Sequence, residues 1–207
     1  MKLTRTRTTL GAAGFVCAVS SIITLMYAQF GEELILSPKG AEIIGNAEGC
    51  RRDPYKCPSD VLTVGIGSTA YSGQPVDPKH RYTDLEIAER WKNDIQVAEK
   101  CVLNYANGRA LPQSVFDSAV SITFNVGCGA VRNSTLFKQL RSGNYHQACY
   151  EYPKWVYAGG KILPGLVSRR EKEKALCLDD LNSLKANRTL LDFGLVRLDL
   201  VSISEDK

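Results

Sequence analysis

The chain has 207 residues, 44% of them hydrophobic and 23% charged, which suits one medium domain with a real core plus additional segments. Its net charge is only +4, and Lys2, Arg5 and Arg7 supply three of those charges, so the body keeps no basic face for a nucleic-acid partner. Metal ligands are equally scarce: the cysteines lack Cys-x2-Cys spacing and the two histidines are His80 and His146, so no metal or cofactor is expected.

Residues 1–33 read as a signal-anchor. Three basic residues precede an uncharged run over 8–31, which Glu32 and Glu33 close. Those 24 residues exceed the ~20 that a helix needs to span a bilayer. Basic residues on the leading side place the N-terminus in the cytoplasm and the body outside. A cleaved signal peptide is the alternative, but no Ala-x-Ala site lies near the end of the run. Gly11, Ala12, Ala13, Gly14, Ser20, Ser21 and Thr24 add little transfer energy, so the anchor is marginal and able to leave the membrane. A permanent single-pass anchor, or a Gly/Ala face for helix pairing, are the blander readings.

From residue 37 the chain reads mainly helical. Ser37-Pro38 predicts an N-cap and first helical position, and the helix carries Ile43, Ile44 and Ala47 to Glu48, with Gly49 as its stop. Residues 55–69 predict a small hairpin, with a Pro-Ser-Asp turn and then Leu62-Thr63-Val64-Gly65-Ile66-Gly67. Thr83-x-x-Glu86 is a capping box, followed by Ile87, Trp91, Ile95, Ala98, Val102 and Tyr105 along one stripe of a long helix. Pro112 opens another helix with Val115, Phe116, Ala119, Val120 and Thr123 inward. Shorter helices follow near 134–140 and 145–150, and a last one after Pro164-Gly165. The expected fold class is α+β: a small hairpin lobe, a larger helical lobe and a cleft between them. A carboxylate at a helix end facing a Gly-rich sheet gives such a cleft wall its acid, and glycines let a bulky substrate approach the backbone.

Glu48, Cys57 and Thr63, with Val64-Gly65-Ile66-Gly67 after them, resemble the catalytic signature of the phage-type lysozymes, glycoside hydrolase family 24. That signature usually reads Glu-x8-Asp-x5-Thr, with Cys in place of Asp in some members. The likeness extends to Asn46, Gly49, Arg51 and Tyr55, and downstream to Phe124-Asn125-Val126-Gly127 and the blocks 158–161 and 164–171. It covers roughly residues 38–180. The resemblance implies a lysozyme-like fold behind an N-terminal transmembrane helix. It also implies a muramidase acting on peptidoglycan without a cofactor, and a releasable anchor of the kind some phage endolysins carry.

Glycosidases flank the scissile bond with two groups, one protonating the leaving oxygen and the other serving the opposite face. Glu48 is the candidate acid, expected to be kept protonated by an apolar cleft. Thr63 can position a water but cannot be a base. Cys57 stands where the family has its Asp, and its role as base, nucleophile or water-orienter stays open. Gly67, Phe124 and Asn125 are the substrate-facing positions that the resemblance implies. Arg169 and Arg170 read either as contacts to anionic wall peptides or as a solvated helix face.

The seven cysteines are an odd set, and export implies an oxidising compartment. Cys17 lies in the membrane run, where a low dielectric disfavours the reactive thiolate. Cys50 is two residues from Glu48, and Cys57 occupies the catalytic position. The expectation is a cage: Cys50–Cys57 holds the tethered enzyme inactive, and the released Cys17 attacks Cys50 and frees Cys57. Cys101, Cys128, Cys149 and Cys177 are then structural, and the family fold favours Cys101–Cys177 and Cys128–Cys149.

The expected organisation is an anchor over 1–33, a catalytic domain over 34–183 and an extension of unread role over 184–207. The expected partners are peptidoglycan and the host inner membrane, through the N-terminal helix, for a monomer that ends as a soluble periplasmic enzyme. A wall lyase of the lytic transglycosylase type, or an anchored wall-binding protein without activity, are the rival functions.

Overall fold

The computed structural model describes residues 16–57, 60–72 and 74–192. Helix α1, Val19–Phe30, is formed by the second half of the uncharged run. Its Ile22, Ile23 and Met26 lie at helical spacing and are buried against helices α2, Pro38–Glu48, and α3, Asp84–Tyr105. Gly45 of α2 admits this packing, since a Cβ there would stand 2.5 Å from Val19 Cγ1 and 3.2 Å from the Trp91 ring. Twelve residues of helix span only about 18 Å. No helix of the described residues is long and apolar enough to cross a membrane, and in this structure residues 19–30 form a core helix. Residues 1–15, including the first part of the expected span, lie outside the described residues.

Buried polar bonds latch the link between α1 and α2. Tyr27 Oη donates to Leu36 O at 2.6 Å, and the backbone N–H groups of Ile35 and Leu36 donate to Glu99 Oε1 at 2.8 and 2.6 Å. Ser37 N donates to Asp117 Oδ1 at 3.0 Å. Burial, opposed by the bonds from Ser37, raises the Asp117 carboxyl above the usual Asp range. The folded chain therefore holds that proton more tightly than the unfolded chain, and the stability this confers is present below ~pH 3.9 and is lost as pH rises through the raised folded value. Asp117→Asn is expected to flatten that decline in a series of melting temperatures from acid to neutral pH.

The local signals place most elements. Ser37 caps α2, its hydroxyl accepting from Gly40 N at 3.3 Å, and Gly49 ends the helix at φ 73°. The Thr83–Glu86 capping box opens α3, whose stripe is buried through Val102, while Tyr105 at the last turn is exposed. Helix α4, Gln113–Val126, buries Val115, Phe116, Ala119, Val120 and Thr123 as expected. Three short helices follow, α5 (Cys128–Val131), α6 (Thr135–Arg141) and α7 (Tyr145–Cys149). The last helix, α8, runs Pro164–Asp192 and packs mainly on α4. It takes up the start of the expected extension, and residues 193–207 lie outside the described residues.

Strands β1 (Arg51–Lys56) and β2 (Leu62–Gly65) pair antiparallel, with Tyr55 opposite Thr63 and an irregularity between Arg51 and Tyr55. The hairpin thus begins at Arg51, four residues before the expected start. Val16 adds a bridge to Arg51, and Arg52 Nη1 donates to Val16 O at 2.7 Å. A second hairpin, β3 (Tyr157–Ala158) and β4 (Lys161–Ile162), precedes α8.

The cysteines pair as Cys17–Cys50, Cys101–Cys128 and Cys149–Cys177. The expected pairs Cys101–Cys177 and Cys128–Cys149 are overturned. Helix α5 follows directly on α4, which packs on α3 and so sets Cys128 beside Cys101, whereas α7 packs on α8 and delivers Cys149 to Cys177.

Candidate active site

Glu48 is the last residue of α2. A carboxylate is disfavoured at the negative end of a helix dipole, so this position needs a cation. Arg169 supplies it, donating from Nη1 to Glu48 Oε1 at 2.7 Å. The surroundings expected to be apolar therefore contain a buried guanidinium. The Glu48 side chain keeps 26% exposure. Its other oxygen, Oε2, faces Gly67 across the cleft, 3.6 Å from where a Cβ on that glycine would stand.

Below Glu48 lies a buried charge cluster. Arg169 Nε donates to Glu173 Oε1 at 3.1 Å and Nη2 to Ser121 O at 3.3 Å. Arg170 donates to Glu173 Oε2, to Asn125 Oδ1 and, at 3.0 Å, to Trp155 O. Arg169 and Arg170 are both buried, so neither is a solvated face nor available to a wall peptide. Two carboxylates balance two guanidiniums, which is what burial of such charges requires.

The opposite wall is the hairpin. Regular pairing from Tyr55 onward, continued by the bond from Cys57 N to Val61 O, puts Tyr55 of β1 and Cys57 just past its end on the face that Thr63 shares on β2. Thr63 is buried and its Oγ1 donates to Val61 O at 3.0 Å, leaving the oxygen's lone pairs as acceptors. Cys57 is half-buried, forms no disulfide, and its N–H donates to Val61 O at 3.0 Å. Burial raises the Tyr55 phenol above its usual range, with Arg51, 4.5 Å over the ring, lowering it and Glu48 and Cys57 raising it. Tyr55 thus lies within electrostatic reach of both expected catalytic groups.

Two hollows meet at this point. One, of about 730 Å³, is lined by Asn46, Glu48, Asn125, Leu163, Arg169 and Lys172. The other, about 270 Å³, is lined by Gly67, Thr69, Tyr71, Phe124 and Gly127. Gly67 of the smaller hollow faces Glu48 of the larger, and Phe124 of the one precedes Asn125 of the other in the chain, so the hollows lie side by side past the carboxylate. Such a groove suits an extended polymer with residues on both sides of the acid. Among the described residues no group of His, Cys, Asp and Glu is arranged to hold a metal.

The family model for phage lysozyme matches residues 45–173, from just before Glu48 to Glu173. The chain belongs to the phage lysozyme family. It is therefore a glycoside hydrolase of lysozyme type. It is 36% identical over 184 residues to the SAR-endolysin of Escherichia phage P1, covering 84% of this chain and 96% of that protein. The active form of the P1 phage endolysin Lyz has a similar structure, with TM-score 0.75, 37% identity and 81% and 97% of the two chains covered. The secreted inactive form of the same endolysin gives a TM-score of 0.50 over 70% of this chain and 96% of that one, also at 37% identity.

Within this lysozyme the structure brings Glu48 and Gly67 together and sets Cys57 and Thr63 on one face of the hairpin. Gly67 and Phe124 line the smaller hollow and Asn125 the larger, with its Oδ1 taken by Arg170. Glu173 was missed by sequence reasoning. Its signal was the spacing Arg169-Arg170-x-x-Glu173, which puts both arginines one helical turn from one carboxylate. Gly67 adopts φ 75°, where a β-branched side chain is strained, and faces Glu48. Gly67→Val is expected to lower kcat/KM about 100-fold, from a misplacement of order 1 Å beside the acid, as measured on purified peptidoglycan.

Proposed function

We propose that this lysozyme is a phage endolysin that hydrolyses the β-1,4 bond between N-acetylmuramic acid and N-acetylglucosamine. The observation that carries this reading is Glu48, with Oε1 held by Arg169 and Oε2 turned to Gly67, beside the hairpin on which Tyr55, Cys57 and Thr63 share a face. Glu48 protonates the glycosidic oxygen as the C–O bond breaks. Water attacks the anomeric carbon from the hairpin side, positioned by the acceptor lone pairs of Thr63 and by the Cys57 thiol, and the configuration inverts. Asn125, Gly67 and Phe124 line the glycan's path. No cofactor is used. Mass spectrometry of digested peptidoglycan tests this: reducing N-acetylmuramic acid ends are expected, and anhydro ends would mean a lyase.

The enzyme is first held in the host inner membrane by the uncharged run over 8–31, with its body in the periplasm and Cys50 bonded to Cys57. Strand β1 supports this reading. Its extended residues set Cys50 and Cys57 roughly 20 Å apart, whereas a disulfide needs Cα atoms within ~7 Å. The caged bond and β1 therefore exclude each other, and the cage removes a catalytic thiol and one wall of the groove together. After release, the Cys17 thiolate attacks Cys50 Sγ, the Cys17–Cys50 bond forms, and Cys57 leaves as a thiolate, with no external oxidant. The Cys17–Cys50 bond, the Val16–Arg51 bridge and the packing of α1 on α2 are what the released state needs. The greater likeness to the active than to the secreted inactive form of the P1 endolysin agrees with this assignment.

A further inference from the structure

Glu173 is fully buried and reaches no part of the groove, yet one arginine partner, Arg169, lines it and the other, Arg170, holds the groove residue Asn125. A purely structural cluster closes on itself. Here each guanidinium has one edge on Glu173 and another on a groove residue. The guanidinium is a rigid planar fork, so fixing Arg169 Nε on Glu173 sets the direction in which Nη1 meets Glu48. Ser121 of α4 locks the arrangement, its Oγ donating to Glu173 Oε1 at 2.7 Å.

We propose that Glu173 is a positioning residue for hydrolysis. One of its oxygens aims Arg169 at Glu48, the other aims Arg170 at Asn125, and its charge partly compensates the two guanidiniums. This rests on the reading of Glu48 as the acid. With Glu48 protonated, the cluster carries one uncompensated positive charge; without Glu173 it would carry two. The charged and titratable groups around the pair are few. Arg169 and Tyr55 bear on Glu48, and Glu42 and Lys172 line the same hollow. Arg169, Arg170 and Tyr152 bear on Glu173.

The test is the pH–activity profile of the released full chain on purified peptidoglycan, scaled to the folded fraction. E173Q is expected to lose 10- to 100-fold at neutral pH and to move the high-pH limb downward by roughly one pH unit, because Arg169 then acts on Glu48 alone. The double variant Arg170→Met with Glu173→Gln removes one charge of each sign and leaves no uncompensated guanidinium. It is expected to fold even where E173Q does not, to lose activity because Arg169 and Asn125 are no longer aimed, and to move the high-pH limb less than E173Q does. Profiles that overlay the wild type after scaling would overturn the inference and leave Glu173 a structural residue. E48Q separates the two readings: activity retained in E48Q removes the acid itself, whereas an inactive E48Q with unmoved profiles removes only the role of Glu173.

Discussion

Glu48→Gln is expected to lower peptidoglycan hydrolysis about 1,000-fold, within the 10²–10⁴ that general acid catalysis contributes. The amide is isosteric, and its oxygen still accepts from Arg169 Nη1, so the geometry of the groove survives while the transferable proton is gone. The carboxylate is partly exposed and its partner keeps Glu173 and Ser121 O, so the melting temperature should change little. Clearing of a cell-wall suspension, read beside a thermal melt, checks both statements. Residual activity above a tenth of wild type in a folded E48Q would place the acid elsewhere.

Cys17→Ser is expected to be nearly as damaging, and by a different route. By the proposed exchange, without Cys17 the bond to Cys50 never forms, Cys57 stays caged, and the released protein lacks β1 and the thiol. Less than about 1% of wild-type activity should remain, which is the loss expected of a site never assembled rather than of a single weakened contact. A mild reductant should restore much of it by freeing Cys57. The rescued variant should also melt lower, because Cys17–Cys50 closes a separation of 33 residues. Chain entropy assigns such a loop roughly 3–4 kcal/mol, or about 7–15 °C in a chain of this size. Lysis on schedule by C17S without reductant would exclude the exchange.

The sequence was most legible where local chemistry decides the structure. The Ser37 cap, the Thr83–Glu86 box and the stripe from Ile87 to Val102 place α2 and α3 with no tertiary information. The candidate site was singled out through the Glu48–Cys57–Thr63 spacing. What stayed hidden depends on partners far along the chain. Arg51 to Pro54 show no alternation, and their strand is made by Gly65 and Val16 across from Arg51. Arg169, Arg170 and Glu173 look the same on a wet helix face as on a buried one, and only packing of α8 on α4 separates the cases. The run that holds Ile22, Ile23 and Met26 is apolar enough for a protein core and for a bilayer, so composition could not reveal that α1 completes the fold. Disulfide partners were the least legible, since four cysteines allow three pairings and only helix packing selects one.

In the proposed activation one sulfur, Cys50 Sγ, changes partner between two states. The most direct measurement is disulfide mapping by mass spectrometry of the membrane-bound and released forms, with thiols alkylated before lysis. Cys50–Cys57 in the bound form and Cys17–Cys50 with an alkylated Cys57 in the released form is the expected result. An alkylated Cys57 in both forms would contradict the account and leave tethering alone to restrain the enzyme.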